Sequence, residues 1–203
     1  MSRDSKIVTA ILVVVVGGMI GLFVLANGND SSSKSAGGNV KAGLMMTTGP
    51  WTSNTDQLSE RLTALNLGPE GNKLHIHEHL AIFIHGKAVE TPKNIGINTA
   101  ASLVAPLHIH DASGVIHVEA AEQRDFTLGN LMGVWGLKFT TDSIGGYKAD
   151  DTNKLKVYSN GQLVSGDPAA LVLGKLQQIV ITFGTDAEEP APIPATYEFP
   201  KDL

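Results

Sequence analysis

The chain has 203 residues, with 15 basic side chains against 20 acidic ones and a formal net charge of −5. That balance excludes nucleic acid as a natural partner, because phosphates are neutralised by a basic face. Cysteine is absent, which removes disulfides, thiolate metal sites and cysteine nucleophiles at once; the length suits one ordinary domain plus a tether.

Residues 1–6 form a short stub containing Arg3 and Lys6. Ile7 to Ala26 then run for 20 residues without a charge or a proline. A helix of that length, at 1.5 Å per residue, spans about 30 Å, the thickness of a bilayer core. The run has no polar face, and the β-branched Val13 to Val16 disfavour a helix in water. Arg3 and Lys6 precede the run, Asp30 follows it, and the next cation is Lys34. The positive-inside rule therefore places the N-terminus in the cytoplasm and the rest of the chain outside. The expected product is a single-pass protein of the cell membrane with its C-terminal domain on the extracytoplasmic side. The rival is a secretory signal peptide cut near Val24-Leu25-Ala26, although the apolar run exceeds an ordinary signal core. Either route delivers the domain to the same compartment.

Residues 27–55, rich in Gly, Ser and Asn at their start, read as a flexible linker. Met45-Met46 interrupts it; paired thioethers can hold Cu(I), while adjacent methionines are ordinarily apolar contacts. The folded domain is expected over 56–187. Asp56 to Leu67 has apolar residues every three to four positions, the pattern of a short amphipathic helix, with Gly68-Pro69 as its stop. Lys73 to His85 alternates as a strand and turns at Gly86-Lys87. Leu107 to His110 and Val115 to Glu119 flank Asp111-Ala112-Ser113-Gly114, a turn sequence, and so form a hairpin. Phe126 to Gly136 reads as a short helix capped by Thr127, with Leu128, Leu131, Met132 and Trp135 on one side. Lys154 to Ser159 and Gln162 to Ser165 form a hairpin across Asn160-Gly161. Gln177 to Phe183 is a last apolar strand, and residues 188–203 are a proline-stiffened tail. The segments KLHIHEHLAIFIHGKAV and KLKVYSNGQLV share a strand, a glycine turn and a second strand, so they read as two hairpins of one kind. The expected fold is α+β: a mixed, mostly antiparallel β-sheet with one short helix across it, in a β-grasp-like arrangement.

All seven histidines lie between residues 75 and 117. In a strand, residues i and i+2 share a face. His75, His77 and His79 therefore form one stripe of candidate metal ligands, able to complete a shell or hold a second ion if this strand lies beside the hairpin of residues 107–119. Ile76, Leu80, Ile82 and Ile84 face the other way, toward the core. Glu78 falls on that apolar face, as a residue near the sheet edge or as a partner that orients an imidazole. In the hairpin centred on Ala112-Ser113, residue i pairs with residue 225 − i, which sets His108 opposite His117 with His110 two positions along. Cross-strand Cβ atoms are about 5 Å apart, so the three imidazoles can converge on one ion at about 2.0–2.1 Å per nitrogen. Asp111 and Glu119 are placed to accept from the second nitrogen of a ligating imidazole. His85 reads as a surface residue. Repeated imidazoles on one face are poorly explained by packing, since each needs a polar partner when buried. All-nitrogen ligation suits Zn²⁺, Cu²⁺ or Ni²⁺ and disfavours Mg²⁺ and Ca²⁺. The HExxH pattern is broken, because Ala81 stands where its second histidine belongs.

The runs HIHEHLAIFIHGK, LHIHDASGVIHVEA and FTLGNLMGVWG resemble a family of small prokaryotic secreted or membrane-anchored proteins, over residues 73–200. The resemblance implies an extracytoplasmic domain with His75, His77, His79, His108, His110, Asp111 and His117 as shared positions, and it implies no particular activity. Family members often carry cysteines near the two histidine stripes, which this chain lacks. Three expectations follow. The first is a metal-binding protein that stores copper or zinc at the membrane surface or delivers it to a neighbour. The second is a zinc enzyme in which His108, His110 and His117 hold a metal-bound water for CO₂ hydration or ester hydrolysis, with His77 or His79 as proton shuttle. The third is a metal-free module that senses pH or docks on a membrane complex.

Overall fold

The computed structural model describes residues 41–201 and 203. The stub, the candidate membrane helix over 7–26 and the start of the linker lie outside the described residues. Among the described residues no helix is long and apolar enough to cross a membrane. They form an α+β domain, mostly β-sheet, with two short α-helices that fall within the two stretches read as helical from the sequence.

Helix α1 (Leu58–Leu65) ends one turn before Gly68, because Asn66 adopts the left-handed conformation and its N–H closes onto Leu62 and Thr63 carbonyls. Strand β1 (Glu70–Ile84) is followed by β2 (Lys87–Val89), β3 (Ile95–Asn98), β4 (Leu103–Ile109) and β5 (Val115–Ala120). Helix α2 (Leu128–Trp135) starts at Thr127, whose side chain accepts from Asn130 N–H while the Asn130 side chain accepts from Thr127 N–H. It stops at Gly136 in the left-handed conformation. A small hairpin of β6 (Ser143–Ile144) and β7 (Tyr147–Lys148) precedes β8 (Lys154–Ser159), β9 (Gln162–Leu163) and β10 (Gln178–Gly184).

The main sheet runs β3-β4-β5-β1-β10-β8-β9, with β2 also paired to β1. β1 is its axis. Its first part is antiparallel to β5 and its second part is parallel to β10. The centre of the sheet is thus two antiparallel pairs, β1 with β5 and β8 with β10, joined through the parallel β1–β10 seam. The turns after β1 and β8 share one backbone signature. His85 and Gly86 have φ of 48° and 75°, and Asn160 and Gly161 have 50° and 78°. Two positive φ values in succession are what a tight hairpin turn requires, and Asn, Asp, His and Gly tolerate them best. The first turn is therefore His85-Gly86, one residue earlier than the Gly86-Lys87 expected, since Ile84 pairs directly with Lys87.

Cross-strand partners share a face, so the register separates the sheet into two surfaces. One carries Leu80, Ile82 and Ile84 of β1, Ile116 and Val118 of β5, Leu107 of β4 and Ile179, Ile181 and Phe183 of β10. Together with the helical residues Leu131, Met132, Val134 and Trp135 these belong to a single buried core. α2 is buried nearly all round, beyond the one side expected. Arg61 of α1 is fully buried. Its guanidinium donates to the carbonyls of Val134, Ala42 and Asn54, which ties α1 to the end of α2 and to the segment before it. That segment is the second half of the expected linker, and it is packed rather than free. Met45 exchanges backbone hydrogen bonds with Gly136 and Lys138, Trp51 is buried edge-on against Trp135, and Trp135 Nε1 donates to Thr52 O at 2.7 Å. Met45 is thus an apolar and backbone anchor while Met46 is exposed.

The opposite surface is shared between two occupants. Over β8, β10 and the end of β1 lies the C-terminal segment. Lys156 pairs with Asp186 and Glu189 at 2.7 Å each, Tyr158 Oη donates to Glu189, and Tyr197 stacks on His79 with centroids 3.7 Å apart. The proline-rich tail is therefore docked over this part of its length. The β4, β5 and early β1 part of the same surface carries the imidazoles.

Glu78 faces the core, opposite Ile116 in register. It is completely buried and neither carboxyl oxygen has a hydrogen-bond partner. Burial pushes its pKa up from 4.5 to about 8. An unfolded chain ionises Glu78 above its ordinary pKa, whereas the folded chain keeps the proton until about 8. The contribution of this proton to stability is full below 4.5 and declines through neutrality, by up to about 1.4 kcal/mol per pH unit. Glu78→Gln keeps the shape and removes the ionisation. We expect urea unfolding, with chelator present, to show wild-type stability falling relative to the variant from about pH 5 to about pH 8. A constant difference over that range would disprove the neutral buried carboxyl.

Candidate metal centre

Antiparallel register makes the cluster. His77 of β1 lies directly opposite His117 of β5, and His117 lies opposite His108 of β4, so three imidazoles stand in a row across three strands. The expected His108–His117 pairing is present. One step along, His75 faces Glu119. His77 and His108 are buried, the His117 side chain is 13% exposed and that of His75 is 57% exposed.

Four donor atoms close into a ring. His75 Nε2 is 3.1 Å from His77 Nε2, which is 3.1 Å from His117 Nδ1. His117 Nδ1 is 3.2 Å from Glu119 Oε1, which is 3.2 Å from His75 Nε2. Four ligands at 2.0–2.1 Å from one ion would stand roughly 2.9 Å apart along the edges of a square and roughly 3.3 Å apart in a tetrahedron. The observed edges fall between those limits. A second group joins His108, His110 and His117, with His108 Nε2 3.2 Å from His110 Nε2. A third joins Glu70, His108 and Glu119.

The electrostatics prepare these groups for a cation. Burial lowers the pKa of His77 to about 4, and the neighbouring imidazoles of His117 and His75 push the same way. His108 is held below its ordinary value by burial, against the opposing pull of its bond to Ala105. His117 is also lowered by burial, against its bond to Glu119. The buried rings are therefore neutral, the form that ligates. Burial alone would raise Glu119, but the hydrogen bond from His117 and the surrounding imidazoles outweigh it and keep the carboxylate below its ordinary range. His108 Nδ1 donates to Ala105 O at 2.9 Å, which fixes the tautomer and leaves Nε2 as the free lone pair.

Not every expected residue joins. His79 has its Nδ1 against Gln178 Oε1 and its Nε2 against Ser113 O, each at 2.9 Å, and its ring under Tyr197. Both nitrogens are engaged, so it locks the β4–β5 turn to β10 and stands apart from the donor groups. Glu78 orients no imidazole, because the strand pleat turns it to the core. Asp111 is exposed and its Oδ1 accepts from Ser113 N at 2.8 Å, so it shapes the turn. Glu119, expected behind the ligands, stands among them. His85 is a turn residue whose Nδ1 meets Glu188 Oε2 at 3.2 Å. The reading from sequence missed Glu70 and the Ala105 carbonyl. Glu70 returns to the site through a bulge, since both Glu70 and Leu74 oppose Ala120. Gly71 permits the bulge, because a Cβ there would meet Ala121 N at 2.3 Å. A backbone carbonyl and a bulge leave no signature in residue types.

Comparison with family models, with curated proteins and with solved structures gave no match. The site is read from its own geometry.

The neutral state of His77 has a direct readout. Its folded pKa lies below its unfolded value of 6.5, so its contribution to stability is full above 6.5 and is lost as the pH falls toward about 4. We expect imidazole NMR of the metal-free protein to show His77 titrating about 2 pH units below an exposed histidine. Titration of His77 together with an exposed histidine would remove the argument for a preformed neutral ligand.

Proposed function

We propose that this protein binds a divalent transition-metal ion, Cu²⁺ or Zn²⁺, outside the cytoplasm and holds it for storage or for delivery to a neighbour at the membrane. One observation carries the reading: three imidazole nitrogens and one carboxylate oxygen form a closed ring with edges of 3.1–3.2 Å. Nitrogen-rich, thiolate-free ligation favours Cu²⁺ and Zn²⁺ over oxygen-seeking ions. Four protein donors around one point fill a four-coordinate shell. Catalytic zinc sites ordinarily keep a position open for water, so the ring favours holding a metal over the hydratase or hydrolase reading. The apolar run Ile7 to Ala26 and the cations before it support a membrane tether with the domain outside. The likeness to small secreted and anchored prokaryotic proteins points the same way. The order β5-β1-β10-β8 with its central parallel seam supports a β-grasp-like core.

The full-length chain in detergent, stripped with chelator, should take up Zn²⁺ or Cu²⁺ in competition with a chromogenic chelator. His117→Ala should weaken that uptake at least about a hundredfold, since losing even an outer partner of a ligand costs 10–100-fold. His85→Ala should leave it unchanged, with circular dichroism confirming the fold of both. Failure of the wild-type chain to retain either metal would refute the reading.

A further inference from the structure

The three donor groups together contain seven residues. A single Zn²⁺ or Cu²⁺ ion uses about four or five donors. The ring of His75, His77, His117 and Glu119 accounts for one such shell and leaves His108, His110 and Glu70 over. These three are not scattered. His108 and His110 bring their Nε2 atoms to 3.2 Å from each other, and Glu70 lies in one group with His108 and Glu119.

We propose that this sheet face binds two ions side by side, the second held by His108, His110 and His117. The inference rests on reading the cluster as a metal site and adds the number of ions and their arrangement. His108 has only Nε2 to offer, because Nδ1 donates to Ala105 O. His110 meets it there from the end of β4. His117 belongs to both groups. Its Nδ1 sits in the ring with His77 and Glu119, so Nε2 is the nitrogen it offers to the second ion. The ring stands edge-on to His110, with centroids 4.6 Å apart, and stacked beside His108 at 5.2 Å. An imidazole shared through both nitrogens does so as the imidazolate: its remaining N–H proton leaves to solvent as the second metal–nitrogen bond forms. The two ions then stand roughly 6 Å apart, given metal–nitrogen bonds of 2.0–2.1 Å. Two dications at that spacing repel, and the site supplies negative charge where it is needed. The carboxylates of Glu119 and Glu70 both lie in one group with His108, which lowers the cost of the second charge.

The two positions differ in completeness. The ring has four protein donors, whereas the second group has three imidazoles and room for one more ligand. The ring is therefore expected to fill first and the second position to exchange faster.

The test is a copper titration of the full-length chain in detergent, with stoichiometry from mass-spectrometric metal analysis and spin coupling from electron paramagnetic resonance. Two Cu²⁺ per chain are expected, with the signal of the first ion losing intensity or splitting as the second enters. His110 is exposed, so His110→Ala should fold as wild type. It should weaken the second ion at least tenfold and keep one Cu²⁺ with an uncoupled signal. One Cu²⁺ per wild-type chain would overturn the second site and leave the metal-binding reading standing. Two ions without spin coupling would overturn the sharing of His117. No bound copper would overturn the two-ion site, and no retained zinc either would end the metal-binding reading with it.

Discussion

Pairing of β1 with β5, and of β5 with β4, brings His77, His117 and His108 abreast. Each strand contributes its imidazole to the same surface because the pleat repeats every two residues and the register has no slip at these positions. A shift of one residue on any of the three strands would turn its histidines into the core and its isoleucines or valines out to the cluster. The apolar face therefore holds the polar one in place. Ile116, Val118, Leu107 and Leu80 are buried against the helix layer, and that packing fixes where the imidazoles stand. The donor cluster is specified from behind.

A cluster of imidazoles at such short range is not favourable for its own sake. Each protonated ring would repel its neighbours, and each buried neutral ring needs a partner for its remaining nitrogen. The protein answers in two ways. Burial keeps His77, His108 and His117 neutral, and Glu119 and the Ala105 carbonyl take hydrogen bonds from the rings. What is left is a group of ring nitrogens from three strands with one carboxylate among them, an arrangement able to hold a cation.

The same strand carries two departures from regular alternation. Glu78 places an orphan carboxyl in the core beside Ile116, at a cost in stability that grows as the pH rises. His79 continues the histidine stripe but is spent on structure, clamped between Gln178 and Ser113 and covered by Tyr197. Tyr197 thus marks the boundary between the part of the surface that the C-terminal segment covers and the part that bears the donor groups.

The stripes on β1 and on the β4–β5 hairpin were legible in the residues alone, because alternation and hairpin register are local: a turn at Ala112-Ser113 sets His108 against His117 with no further information. The same holds for Thr127 as a cap, for Asn160-Gly161 as a turn and for the core face of β1. What the tertiary structure decided was adjacency. No local rule brings β1 to the far side of β5, which is what joins the two stripes and places Glu119 among the imidazoles. The bulge that returns Glu70, the carbonyl that orients His108 and the partners that withdraw His79 likewise depend on segments distant in sequence. Periodicity tells a side chain which way to face; only packing tells it what it will meet.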